Sequence, residues 1–177
     1  MKIKEISPSA IITTKDFPVH NGHILKIYFK ICREGNKDIL PPTPVIPLSV
    51  GLPLLPGKTK KEKEHNQKFK SFLKKNKKIK YLMCDGSHKT TALTLTHNKI
   101  HCIVLKSDKD MERMRALVKT GEIFSMSTKK TIRAELTEKA NHLKGANFFE
   151  SVKDKTDRMA DEKVIPEFMI KEYRKGK

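Results

Sequence analysis

Five consecutive residues, Asp85-Gly86-Ser87-His88-Lys89, put a carboxylate, a hydroxyl, an imidazole and an ammonium into one short turn. Asp85 is suited to holding a divalent ion or orienting a hydroxyl for attack. Gly86 lets the backbone approach a ligand closely. A helix starting after it offers unpaired N–H groups and a positive dipole end, which favour an anion. Ser87, His88 and Lys89 would add donors and charge to that anion site, and Thr90 a further hydroxyl. The same residue types also cap helices without any further role, so the turn by itself leaves both readings open.

The flanking sequence supplies the elements such a turn needs. Residues 81–84 form a short apolar run that reads as a buried strand, and residues 100–105 form a second. Between them, residues 88–96 read as a helix with Ala92 and Leu95 inward and Asn98 near its end. Upstream, residues 2–6 and 10–14 read as strands around a Ser7-Pro8 turn. Ile24, Ile27, Tyr28 and Ile31 fall at helical spacing, with Gly35 ending that helix. Residues 45–50 read as a strand in which Pro47 demands an edge position or a bulge. Residues 107–120 form a helix capped by Ser107 or Asp108, with Met111, Met114, Leu117 and Val118 as its inner stripe. A further helix is expected over 135–143. The charged tail from Ala146 is broken at Pro166, with Phe148, Phe149, Phe168 and Tyr173 available to pack it back.

Asp-Gly-x-His-(Arg/Lys) between two strands, followed by a short helix and Ile-x-x-Ile-Val, resembles the core motif of the ParB/sulfiredoxin superfamily. Members bind nucleotide phosphates on this loop. Sulfiredoxins carry a reactive cysteine where Ser87 stands, and the Glu-Arg-Arg type motif of chromosome-partitioning ParB proteins is absent. The archaeal free serine kinases, with Asp-Gly-His-His-Arg, are the nearest branch. A second segment is similar to their Lys-x-Gly-Glu-Val-Tyr-Ser-Pro-Lys-Thr-Thr-Arg-His. Lys119, Gly121, Glu122, Ser125 and Thr128 are identical, and Lys130 stands at the arginine. Met126 and Thr131 depart from the proline and histidine. In these kinases a His-Glu pair opens the first helix, and its glutamate is the general base. His20 matches the histidine, but Asn21 replaces the glutamate, and an amide cannot accept a proton. Asp85 or His20 would then take that role.

Composition limits the alternatives. The 177 residues suit one domain with a real core. No apolar run is long enough to span a bilayer, and Met-Lys-Ile-Lys-Glu does not begin a signal peptide. Cys32, Cys84 and Cys102, odd in number and far apart, read as reduced intracellular thiols without metal-ligand spacing. These features lead to a cytoplasmic expectation with no membrane partner. The net charge of +18 comes mostly from lysine. It suits an anionic substrate, and it equally suits nucleic acid. The lysine- and glutamate-rich, tryptophan-free composition also fits a thermophile. Gly51-Leu-Pro-Leu-Leu-Pro-Gly57-Lys58-Thr59 mimics a phosphate loop, but its glycine spacing is one residue too long. Pro53 and Pro56 also remove N–H groups that would cradle phosphate.

The resulting expectation is a mixed α/β fold of the ParB/sulfiredoxin type, a small mixed sheet flanked by helices. Residues 1–132 would form the catalytic domain, with 58–80 as a lysine-rich insertion. Residues 133–177 would form a helical extension packed on the same domain. The resemblance implies transfer of a phosphoryl group from ATP or ADP, with magnesium on Asp85, to the hydroxyl of L-serine, serving serine and cysteine metabolism. Asp85, His20 and Asn21 would stand at the catalytic positions. Gly86, Ser87, His88, Lys89 and Thr90 would hold the nucleotide, while Ser125, Thr128, Lys130 and Thr131 would steady the substrate. A ParB-like nucleic-acid-binding protein and a nucleotide-hydrolysing switch are the rival readings.

Overall fold

The computed structural model describes residues 2–13, 19, 21–125, 127, 129–144 and 146–176. Its five strands are β1 (Lys2–Ile6), β2 (Ile11–Ile12), β3 (Thr43–Pro47), β4 (Tyr81–Met83) and β5 (Ile100–Val104). They form one mixed sheet in the order β1-β5-β3-β4-β2. The β1/β5 and β3/β4 pairs are antiparallel, whereas β3/β5 and β2/β4 are parallel. Seven α-helices lie among the described residues: α1 (Gly22–Arg33), α2 (Lys60–Lys75), α3 (Ser87–Leu95), α4 (Asp108–Lys119), α5 (Ile132–Lys144), α6 (Val152–Asp161) and α7 (Glu167–Lys175). The expected mixed α/β class, a small mixed sheet flanked by helices, is the observed one.

Alternation along each strand divides the interior into two layers. Ile11, Val45, Met83, Cys102 and Val104 face a core completed by Leu25 and Phe29 of α1, Leu95 of α3, Met159 of α6 and Tyr173 of α7. On the other face, Ile46 and Ile103 meet Met111 and Met114 of α4, and Ile132 of α5. Ile12 and Leu82 meet Phe69 of α2 and Leu143 of α5 there as well. The sheet is therefore covered by helices on both sides.

Helix α3 is buried from Lys89 to Leu95, with α1, α6 and α7 against it. Two of its buried threonines, Thr90 and Thr94, can enter this environment because their hydroxyls find partners in the helix backbone. Thr90 donates to the Gly86 carbonyl at 3.0 Å, and Thr94 donates to the Thr90 carbonyl at 2.7 Å.

Strand β3 corrects the expectation for Pro47. It lies at the centre of the sheet, not at an edge. Leu105 N–H donates to the Val45 carbonyl, so Val45 and Pro47 both turn their backbone polar groups toward β5. The β5 ladder ends at the Val45↔Val104 pair, two residues before Pro47. Its missing N–H thus breaks no ladder bond.

The lysine-rich segment is also more regular than its composition suggests. Thr59 and Glu62 make a capping box that starts α2. Phe69 is then fully buried, with the Phe149 ring edge-on at 5.0 Å, and Ile79 joins the same cluster. In the tail, Ser151 and Asp154 form the box that starts α6, and the Tyr173 hydroxyl donates to Asp157 at 2.7 Å. Phe149 and Tyr173 pack inward as expected, while Phe148 and Phe168 keep much of their surface exposed. Among the described residues, no helix is long and apolar enough to cross a membrane.

Candidate functional site

Strand β4 runs at its carboxyl end into the wall of a cavity of about 650 Å³, which Met83 and Cys84 help to line. Residues 85–89 form one wall, and Gly121, Phe124, Ser125 and Ser127, after α4, form another. Lys139 and His142 of α5 and Lys155 of α6 close the remainder. Val19, Ile24 and Tyr28 add an apolar side. The cavity lining thus combines cationic and apolar side chains.

The turn into α3 requires glycine. Gly86 has φ +102°, a left-handed conformation that strains any residue with a Cβ. A Cβ there would also lie 3.4 Å from Thr43 Oγ1 and Cγ2. Asp85 Oδ1 accepts the Gly86 N–H at 2.6 Å, which holds its carboxylate at the start of the helix. Ser87 and His88, the first two residues of α3, line the cavity beside it. His88 Nε2 accepts the Asn21 N–H at 3.1 Å. In a neutral imidazole that bond leaves the proton on Nδ1.

Among the described residues, no group of three His, Cys, Asp or Glu side chains could hold a metal ion. The donor set therefore suits neither zinc nor a calcium cage. It does suit magnesium in the mode where one carboxylate, here Asp85, acts together with phosphate oxygens and water.

Three lysines of the cavity are almost wholly withdrawn from solvent. Lys89 and Lys155 are each 4% exposed, and Lys139 is 5% exposed. Lys89 donates to the Pro41 carbonyl, and burial pulls its pKa down to about 8 despite the opposing pull of Asp85. Lys139 Nζ lies 3.3 Å from Glu135 Oε1, and the other carboxylate oxygen of Glu135 accepts the Ser127 hydroxyl. Glu138 is engaged elsewhere: a hydrogen bond from Lys129, at 2.9 Å, holds its carboxyl below the usual range.

The other positions expected to act fall in several places. His20 and Thr128 lie outside the described residues. Asn21 is the N-cap of α1, its Oδ1 accepting the N–H groups of His23 and Ile24 at 3.0 and 3.1 Å. Its side chain does local structural work at the start of that helix. Thr90 turns its hydroxyl back into α3, as described above. Thr131 caps α5, its hydroxyl accepting the Ala134 N–H at 3.1 Å. Lys130 is exposed and is not among the cavity residues. Ser125 does line the cavity, and its hydroxyl accepts the Ser127 N–H at 3.2 Å.

Sequence reasoning missed Ser127, Glu135, Lys139, His142 and Lys155. A signal existed for one pair, because Glu135 and Lys139 are four residues apart on a helix and so adjoin.

The cysteines are not reactive groups. Burial pushes the Cys84 thiol well above its ordinary value, with Glu135 adding to the effect. Burial likewise raises Cys32 to about 11 and Cys102 to about 12. Thiolate chemistry at this site is therefore disfavoured. Comparison with protein-family models, with curated proteins and with solved structures finds no match to this chain.

Proposed function

We propose that the cavity binds ATP or ADP and that the protein transfers a phosphoryl group to the hydroxyl of free L-serine, giving O-phosphoserine. The observation that carries this reading is the meeting of two distant segments. Residues 85–89 line the cavity together with Gly121 and Ser125, which belong to the second segment similar to the serine kinases. Phosphoryl transfer asks for in-line positioning and neutralised charge rather than covalent chemistry. Ser87, His88 and the start of α3 supply donors for phosphate, and Asp85 stands beside them. Magnesium held there would neutralise charge developing on the transferred group. Asn21 cannot serve as a base, and Glu138 is tied to Lys129. Asp85 therefore remains the cavity carboxylate best placed to orient the acceptor hydroxyl. In this reading the enzyme works in the cytoplasm.

The test is phosphoserine formation by the full chain with L-serine, magnesium, and ATP or ADP in parallel, at room temperature and hot. Product with either donor is expected, falling by about 100-fold or more in Asp85→Asn. Nucleotide left untouched at every temperature would sink the proposal. Nucleotide consumed without serine would favour the hydrolysing switch.

One observation supports a second reading. All eleven lysines between residues 58 and 80 are exposed, a footprint available to nucleic acid. That reading expects DNA binding that weakens steeply with salt and ignores serine.

A further inference from the structure

Neither Ser127 nor Glu135 is among the positions that the resemblance implies. Glu135 is nevertheless wholly buried, at 0% exposure. A carboxylate rarely enters an interior unless something uses or balances its charge. Lys139 Nζ, 3.3 Å from Oε1, balances it, yet that oxygen accepts no hydrogen bond among the described residues. The other oxygen accepts the Ser127 hydroxyl. Ser127 N–H donates to Ser125 Oγ at 3.2 Å, which steadies the backbone that carries this hydroxyl. Ser127 is on the cavity wall, and Glu135 stands behind it. A hydroxyl set between a cavity and a carboxylate, with the carboxylate held by a third group, has the arrangement of an activated nucleophile.

We propose that Ser127 is a phosphoryl acceptor in its own right, with Glu135 as its general base. Ser127 Oγ attacks the terminal phosphorus of a phosphate donor in the cavity. The Oγ–P bond forms as the bond from phosphorus to its bridging oxygen breaks. That oxygen keeps the electron pair and leaves with the rest of the donor, while the Ser127 proton passes to Glu135. The carboxyl is then neutral, and the Lys139 ammonium beside it is left to face the new phosphate. With a nucleotide as donor this assignment rests on the reading above, whereas with a small acyl phosphate it does not.

The experiment incubates the full chain and magnesium with ATP, with ADP and, separately, with acetyl phosphate, which demands no nucleotide pocket. Intact mass and peptide mapping follow phosphorylation of the protein, beside phosphoserine formation from free L-serine. One phosphoryl group at Ser127 is expected. Ser127→Ala should abolish it, and Ser127→Thr should keep it on the new hydroxyl. Glu135→Gln should slow labelling by about 100-fold or more. Because that variant leaves Lys139 buried beside a neutral amide, Glu135→Gln/Lys139→Met supplies the same readout without the unbalanced charge.

No label at Ser127 from any donor would overturn the assignment. So would undiminished labelling in Ser127→Ala or in the double variant. Labelling by acetyl phosphate, with both nucleotides untouched, keeps Ser127 and removes the nucleotide reading. Labelling of Ser127 by a nucleotide without free phosphoserine keeps this site and removes L-serine as the acceptor. Free phosphoserine with Ser127 unlabelled keeps the kinase and removes this site.

Discussion

Helix α2 and the cavity wall draw on the same residue type under opposite conditions. Eleven lysines between residues 58 and 80 are all exposed, whereas Lys89, Lys139 and Lys155 are at most 5% exposed. The exposed lysines contribute most by number, but water and salt screen each of them. The buried lysines have lost their hydration, and two of them depend on a specific neighbour: Pro41 for Lys89, Glu135 for Lys139. Net charge alone would have pointed to α2.

The contrast is most severely tested at Lys139. Lys139→Met leaves the Glu135 carboxylate buried without its cation, and stability should fall by about 3–5 kcal/mol. Adding Glu135→Gln should recover much of that loss, as read by chemical denaturation. If Lys139→Met is as mild as a surface substitution, the burial argument fails.

Lys89 offers a pH-dependent test with a definite sign. Its folded-state pKa of about 8 lies below the ordinary 10.5. Between those values the unfolded chain binds the extra proton, so this group makes stability rise with pH across that window. Below about pH 8 the buried charge is a cost. Lys89→Met removes that cost together with the bond to Pro41, and should gain about 1–2 kcal/mol at pH 7. The gain should vanish or reverse toward pH 10.5 in melts run across pH. A gap between variant and wild type that does not change with pH would contradict the desolvation of Lys89.

Smaller effects sharpen the picture. Asn21→Ala should cost about 1 kcal/mol through loss of the α1 cap, while Asn21→Asp keeps the cap and stays near neutral. Equal losses in both variants would show that Asn21 does something beyond capping. At the mild end, Lys74→Gln with Lys75→Gln should stay within about 0.5 kcal/mol of wild type in the same denaturation assay.

Much of the fold was legible because its signals are local. Helical spacing signals α1 and α4, although α1 buries Leu25, Phe29 and Cys32 and leaves Ile24 and Ile27 exposed. The Ser107 and Asp110 capping box starts α4 where a capping residue was expected. The turn at Gly86 shows in its residue types, since a left-handed φ there admits little else. The site was less legible. Thr131 reads as a substrate hydroxyl in a motif and proves to be a helix cap, and the same hydrogen-bonding capacity serves both. Lys155 reads as one charge in a charged tail, although it sits on the helical stripe with Val152, Thr156 and Met159 that faces the interior.

The sequence by itself signalled helices α1, α3, α4 and α5, the strands β1, β4 and β5 and the chemistry of the 85–89 turn, because capping, period and backbone freedom act over a few residues. The strands expected over 10–14 and 45–50 are instead observed as Ile11–Ile12 and Thr43–Pro47, and the 58–80 segment contains the helix α2. Only the tertiary structure decided that β3 is central, that Gly121, Ser125, Ser127 and residues of α5 and α6 meet that turn at one cavity, and that three lysines lose their water there. Strand order and desolvation depend on residues far apart in the chain. The physical character of a lysine is set by what folds over it.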